Sequence, residues 1–199
     1  PDKKLSTRHG DVVFLEEVLD ESVNKTLSII SENNPSLEDK KSVAEKVGIG
    51  AVIYTFLKNS REKDIVFSWD SMLDFDGESA PYVQYTYARG RSILRRAESM
   101  PEKINFEKIT SDDEYALVTQ LGAFGAAVKT AAEKNEPFYV NRYVTNLARA
   151  FNKFYNGCPI LKEDVDDETK AARLALVNAS VSVIKTALAL LGIETVEEM

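Results

Sequence analysis

Tyr82, Tyr85, Arg89 and Arg96 fall on one stripe of a helix read at 3.6 residues per turn, which sets aromatic faces beside guanidinium groups. Tyrosine rings stack on unpaired bases and guanidinium groups hold the neighbouring phosphates, so the chemistry this spacing offers is single-stranded RNA binding. Gln84 lies within the same stretch, and its amide carries both a donor and an acceptor with which to read a base edge. A second stripe, Val83, Tyr87, Gly90, Leu94 and Ala97, supplies an apolar face to anchor the helix on a core. The same pattern also suits tyrosines at a core edge and arginines on a solvated face, and the residues alone leave both readings open.

The elements that must position this stripe read as helices throughout. The chain has 199 residues, 44% hydrophobic and 29% charged, which is the balance of a globular domain rather than of a disordered tail. A helix is expected over residues 15–30, stopped by Asn33-Asn34-Pro35, after a short extended segment at Val12-Val13-Phe14. Ser36 is the expected N-cap of a second helix reaching residue 57, with Glu38 and Asp39 in its first turn. Inside it, Gly48 and Gly50 cost helix propensity unless another backbone packs closely there. Ile65-Val66-Phe67 reads as a short strand and residues 69–75 as a turn or single helical turn. The tyrosine helix then runs through Arg96. Ser111 and Glu114 form a capping box for one long helix to residue 133, in which Gly122 and Gly125 suggest a close helix crossing. Helices over 139–155 and 167–191 follow, the last ended by Gly192. The predicted architecture is an all-α bundle with an irregular N-terminal lead.

Composition narrows the chemistry. With one cysteine, Cys158, no intrachain disulfide forms, and a buried apolar role suits it better than catalysis because the single histidine, His9, is far away in sequence. A His/Cys zinc site within the chain is not expected. No apolar run is expected to reach membrane-spanning length, and a cytoplasmic protein with no membrane partner is the expectation. The net charge of −7 argues against indiscriminate binding to nucleic acid. It leaves room for a local patch, since Arg89, Arg91, Arg95 and Arg96 have no acidic residue among them, whereas Glu163-Asp164-Val165-Asp166-Asp167-Glu168 reads as a solvated acidic loop.

Three separated patterns resemble one family. Lys4-Leu5-Ser6-Thr7-Arg8-His9-Gly10 resembles the KMSKS-type loop of class I aminoacyl-tRNA synthetases in the divergent form of arginyl enzymes. Gly48-Ile49-Gly50-Ala51-Val52-Ile53-Tyr54, followed by residues 67–73 and 77–89, is similar to the arginyl-tRNA synthetase path into its anticodon-binding domain. Ala148-Arg149-Ala150-Phe151-Asn152-Lys153-Phe154-Tyr155, then Arg173-Leu174-Ala175-Leu176-Val177 and Leu190-Leu191-Gly192-Ile193 through to Met199, resembles that family's C-terminus.

The resemblance implies a C-terminal piece of an arginine–tRNA ligase, with residues 1–35 carrying the loop and connection and residues 36–199 the helical anticodon-binding domain. The parent enzyme uses ATP and Mg to join arginine to its tRNA; the piece alone is expected to be inactive and to need no cofactor. By the same resemblance Lys4, Ser6 and Arg8 serve the nucleotide: Lys4 offsets phosphate charge, Ser6 donates a hydrogen bond, and Thr7 stands where the family has a second lysine. Tyr82, Gln84, Tyr85, Tyr155 and Met199 are the implied anticodon contacts, with Arg89 and Arg96 on phosphates and the arginine tRNA as partner. The competing reading is a helical protein-interaction module without RNA specificity.

Overall fold

A computed structural model describes residues 13–97, 99 and 102–199. Among them the chain forms α1 (Leu15–Asn33), α2 (Lys40–Leu57), a single turn α3 (Trp69–Met72), α4 (Ala80–Arg96), a 3-10 turn at Phe106–Lys108, α5 (Asp112–Gly122), α6 (Phe124–Lys134), α7 (Phe138–Gly157) and α8 (Asp167–Leu190). No strand occurs among the described residues. The bundle centre is α4, α7 and α8, which pack on one another, with α5 and α6 laid against α7 and the α1–α2 hairpin joined through α2 to α4.

Sequence explains these elements locally. Ser79 caps α4 by accepting from the Tyr82 N–H at 3.2 Å, and Pro81 in the first turn loses no bond that the helix would have made. Gly48 lets α1 and α2 touch: a Cβ there would stand 2.9 Å from the backbone of Val23, and the Ser22 hydroxyl donates to the Gly48 carbonyl at 2.8 Å. Gly192 adopts a φ of 74°, the left-handed stop expected after α8. Cys158 is buried, with Ser111 Oγ 3.2 Å from its Sγ.

Five expectations are corrected. The second helix begins at Lys40, capped by Asp39, because Leu37 instead tucks against Ile30 and Ala44 while Ser36 bonds Asn34. Ile65-Val66-Phe67 is not a strand; no partner among the described residues offers its backbone a ladder. The helix expected through 133 breaks at Ala123 into α5 and α6. Gly122 and Gly125 form no close crossing, since a Cβ at either would meet nothing within 4 Å. Two unpacked glycines weaken the helix, and the break lets Phe124 pack on Tyr143 at 5.5 Å between ring centres. Finally, α8 is by length and composition long and apolar enough to cross a membrane, but Ala172, Val177, Ile184, Ala187 and Leu188 on it are spent on the bundle core.

The capping box of α5 is tied into this core. Glu114 is fully buried and accepts from the N–H groups of Thr110 and Ser111 at 2.9 and 2.8 Å and from Arg173 Nε at 2.6 Å. Burial opposes its charge, but the Ser111 N–H, Arg173 and the Thr110 N–H outweigh it and hold the carboxyl below its ordinary value of 4.5. A carboxyl lowered on folding stabilises the fold above its unfolded value and loses that contribution as pH falls through the folded one. Glu114→Ala is therefore expected to cost about 3 kcal/mol at pH 7. In urea titrations the gap from wild type should close as the pH is taken below 4.5.

Candidate nucleic-acid interface

The facing surfaces of α4 and α7 bring six side chains into one cluster. Positions 82, 85, 86 and 89 lie on one side of α4, and 149, 152 and 155 are spaced to share one side of α7. The Arg89 guanidinium carbon lies 4.8 Å from the centre of the Tyr85 ring and 4.9 Å from that of Tyr155, within cation–π range of both. Its Nη1 donates to Asn152 Oδ1 at 2.5 Å. The amide nitrogen of Asn152 in turn donates to the Tyr82 hydroxyl at 3.0 Å and the Thr86 hydroxyl at 2.9 Å. On the same helix as Asn152, Arg149 forms an ion pair with Glu78 at 2.6 Å.

The guanidinium is thus fixed by two rings and one amide. Among the described residues no carboxylate forms an ion pair with it, although Asp76 lines the same cleft. Tyr85 and Tyr155 keep 39% and 38% of their surfaces exposed, which leaves ring area for a further flat group. Beside them opens a cleft of about 440 Å³ lined by Ile29, Asn33, Phe75, Tyr85, Arg89 and Met199. A fixed cation, two partly exposed rings and an adjoining cleft are the components of a site for a nucleobase and its phosphate.

The structure brings Tyr82, Tyr85, Arg89 and Tyr155 together and places Met199 in the adjoining cleft. Tyr82 is half-buried and packs on the main core. Arg96 is exposed but stands two helical turns beyond Arg89, about 10 Å along the axis, outside the cluster. Gln84 corrects the expectation of a base reader. It is 0% exposed, and its amide nitrogen donates to the backbone carbonyls of Glu194 at 2.7 Å and Lys46 at 3.3 Å. One position away from the stripe, it faces inward. The arginine cluster is also divided, because Arg91 and Arg95 pair with Glu197 at 2.7 and 3.7 Å. Lys4, Ser6 and Arg8 lie outside the described residues.

Asn152 is a site residue that sequence reasoning misses, although it stands three residues before Tyr155 and three after Arg149 on one helix face. That spacing is its one signal in the sequence; its partners are more than sixty residues away. Phe75 enters the site from a loop and Asn33 from the last position of α1, and the periodicity of the helices does not define where either lies relative to α4.

No group of three or more His, Cys, Asp or Glu among the described residues could hold a metal ion. Gly48 and Gly50 form no phosphate cradle, because both are spent on contacts with Val23, Ile193 and Gln84. No step of nucleotide chemistry is assigned to them.

Residues 83–199 match the model of the DALR anticodon binding domain, and residues 1–69 match that of tRNA synthetases class I (R), catalytic domain. The chain is 55% identical over 197 residues to an arginine–tRNA ligase of Clostridium botulinum (strain Loch Maree / Type A3), covering 99% of this chain and 35% of that protein. It is 54% identical over 196 residues to that of Clostridium acetobutylicum, again covering 35% of the relative. It therefore spans about a third of the length of the curated relatives it matches. Among solved structures it superimposes on the Thermus thermophilus arginyl-tRNA synthetase with a TM-score of 0.89 at 33% identity, over 94% of this chain and 32% of that one. The Plasmodium falciparum enzyme gives a TM-score of 0.75 at 25% identity, over 94% and 34%.

The geometry makes Asn152 the pin of the cluster. Asn152→Ala removes the donor to the Tyr82 and Thr86 hydroxyls and the acceptor of one Arg89 N–H, while Thr86 keeps its bond to the Tyr82 carbonyl, and thermal unfolding should report a loss of about 1–2 kcal/mol. Combined with Arg89→Ala, the loss should fall short of the sum of the two single effects, because both remove the same bond.

Proposed function

We propose, since this chain belongs to the DALR anticodon binding domain family, that it is the anticodon-reading part of an arginine–tRNA ligase and that its partner is the arginine tRNA. The observation that carries this reading is the Arg89 guanidinium held between Tyr85 and Tyr155 at the mouth of the cleft that Met199 lines. An anticodon loop offers splayed bases linked by phosphates. Tyr85 and Tyr155 supply the stacking surface, Arg89 the charge for a phosphate, and the cleft the space for a base turned out of its stack. Tyr82 acts from behind through Asn152, and Arg96 extends the positive track along α4 toward the neighbouring backbone.

Ligation belongs to the whole protein, of which the relatives' remaining two thirds form the larger part. In that protein, ATP with Mg provides the activating chemistry. Lys4 and Arg8 would offset charge on the nucleotide phosphates and Ser6 would donate to them. The chain by itself is inactive in this reading, and its place is the cytoplasm, where tRNA is charged.

The test is titration of the chain with the arginine tRNA anticodon stem-loop beside a version with its anticodon scrambled, at two salt concentrations. The cognate loop should bind more tightly, and binding of both should weaken with salt. Tyr85→Ala should cost about 1–3 kcal/mol of cognate affinity, the value of one stacking contact, with the unfolding curve little changed. Equal affinity for the two loops would favour a protein-interaction module instead.

A further inference from the structure

Residues 194–199 pass between two clefts, and their acidic side chains have no role in the RNA reading so far. On one side is the cleft lined by Tyr85, Arg89 and Met199; on the other is one of about 570 Å³ lined by Ser42, Lys46, Thr195 and Glu197, among others. The segment is held at several points. Ile193 and Val196 are buried, and the Glu194 carbonyl accepts from Gln84 at 2.7 Å. Glu197 is the most heavily bonded of its side chains. Its carboxylate accepts from the hydroxyl of the buried Tyr87 at 2.9 Å and from Arg91 Nε at 2.7 Å, with Arg95 Nη1 at 3.7 Å. Arg95 also donates to the Glu197 carbonyl at 3.2 Å and pairs with Glu198 at 3.1 Å.

A lone surface ion pair does not repay the entropy of ordering a chain segment. A carboxylate gripped by two cations and a buried hydroxyl, all on α4, is a stronger tether. Burial works against the charge, but Arg91 and Tyr87 hold the Glu197 carboxyl below its usual range, so it is ionised at neutral pH.

The geometry points to Glu197 as a positioning residue: gripped by Tyr87, Arg91 and Arg95, it fixes the chain two residues before Met199 and so holds Met199 as a wall of the cleft beside Tyr85 and Arg89. The inference rests on the anticodon reading only for what the positioned Met199 touches. Its consequence runs against simple electrostatics. Removing a negative charge next to an RNA site should raise RNA affinity through lower repulsion; here it lowers it, because the cleft loses a wall.

Placement is tested without RNA. In chain labelled at the methionine methyl carbons, with Met199→Leu identifying the signal, Glu197→Gln should move the Met199 methyl resonance toward that of a solvent-exposed methionine. An unmoved resonance in the folded variant overturns the proposal. Should Glu197→Gln fail to fold, Tyr87→Phe removes one donor and keeps the buried ring; a smaller shift in the same direction supports the tether, and no shift overturns it.

RNA binding is then read on the two stem-loops. Glu197→Gln should lower cognate affinity about fivefold and reduce the preference over the scrambled loop, while in a Met199→Ala background it should change affinity less than twofold. Increased affinity for both loops overturns positioning in favour of charge repulsion. A wild-type chain with no anticodon preference, together with the methyl shift, would remove the RNA reading and leave the positioning supported.

Discussion

The buried amide of Gln84 is the joint on which the candidate site depends. A primary amide withdrawn from water without partners costs about 1–3 kcal/mol, so its place in the core is tolerated only where carbonyls meet it. Lys46 on α2 and Glu194 beyond α8 provide them for the amide nitrogen, while the buried Oε1 has no hydrogen-bond partner among the described residues, and Gly50 leaves the space that a side chain would fill. One residue of α4 thereby fastens α2 and the segment at the far end of the chain. These parts carry or support the cleft walls: α1, which packs on α2, brings Asn33 from its last position, and the terminal segment brings Met199. The inward face of α4 secures what its outward face presents.

Charge is distributed by the same logic. With a net charge of −7, the chain repels a polyanion at long range, and many of its cations are already paired at short range. Arg173 is spent on Glu114, Arg149 on Glu78, Lys108 on Asp166 and Glu168, and Arg91 and Arg95 on Glu197. Arg89 differs from these in being held by aromatic rings and an amide, none of which neutralises it. In the proposed reading, an acidic protein with an arginine held in this way would discriminate by geometry, since a strand that does not fit gains little from the rest of the surface.

How far the sequence can be read follows the range of each interaction. Hydrophobic spacing, the Ser111–Glu114 capping box and the Gly192 stop are local, and the helices they define stand close to where the pattern places them. The break at Ala123 is hidden because Gly122 and Gly125 read equally well as a tight crossing or as weak helix; only the empty space around them decides. The stripe of Tyr82, Tyr85 and Arg89 is legible from periodicity. Whether Gln84 faces in or out is not, because a polar residue beside the stripe faces inward only if distant carbonyls await it. Asn152 and the pairing of Arg91 with Glu197 depend likewise on partners that only the tertiary fold supplies.

The restraint on Arg89 explains why an aromatic pair and an asparagine surround it. A free arginine side chain gives up about 2 kcal/mol of rotamer entropy when a ligand fixes it. Here the Tyr85 and Tyr155 rings and Asn152 impose that loss on folding, so it does not weaken binding. The planar guanidinium suits this position because it lies within cation–π range of two rings and still has donors at its edge, since one of its five N–H groups suffices for Asn152. A lysine has neither the plane to stack nor a fork to share. The stiffness of the site therefore comes from the packing of α4 on α7, and in the proposed reading a change that loosens that packing would weaken recognition before it touched a contact with the RNA.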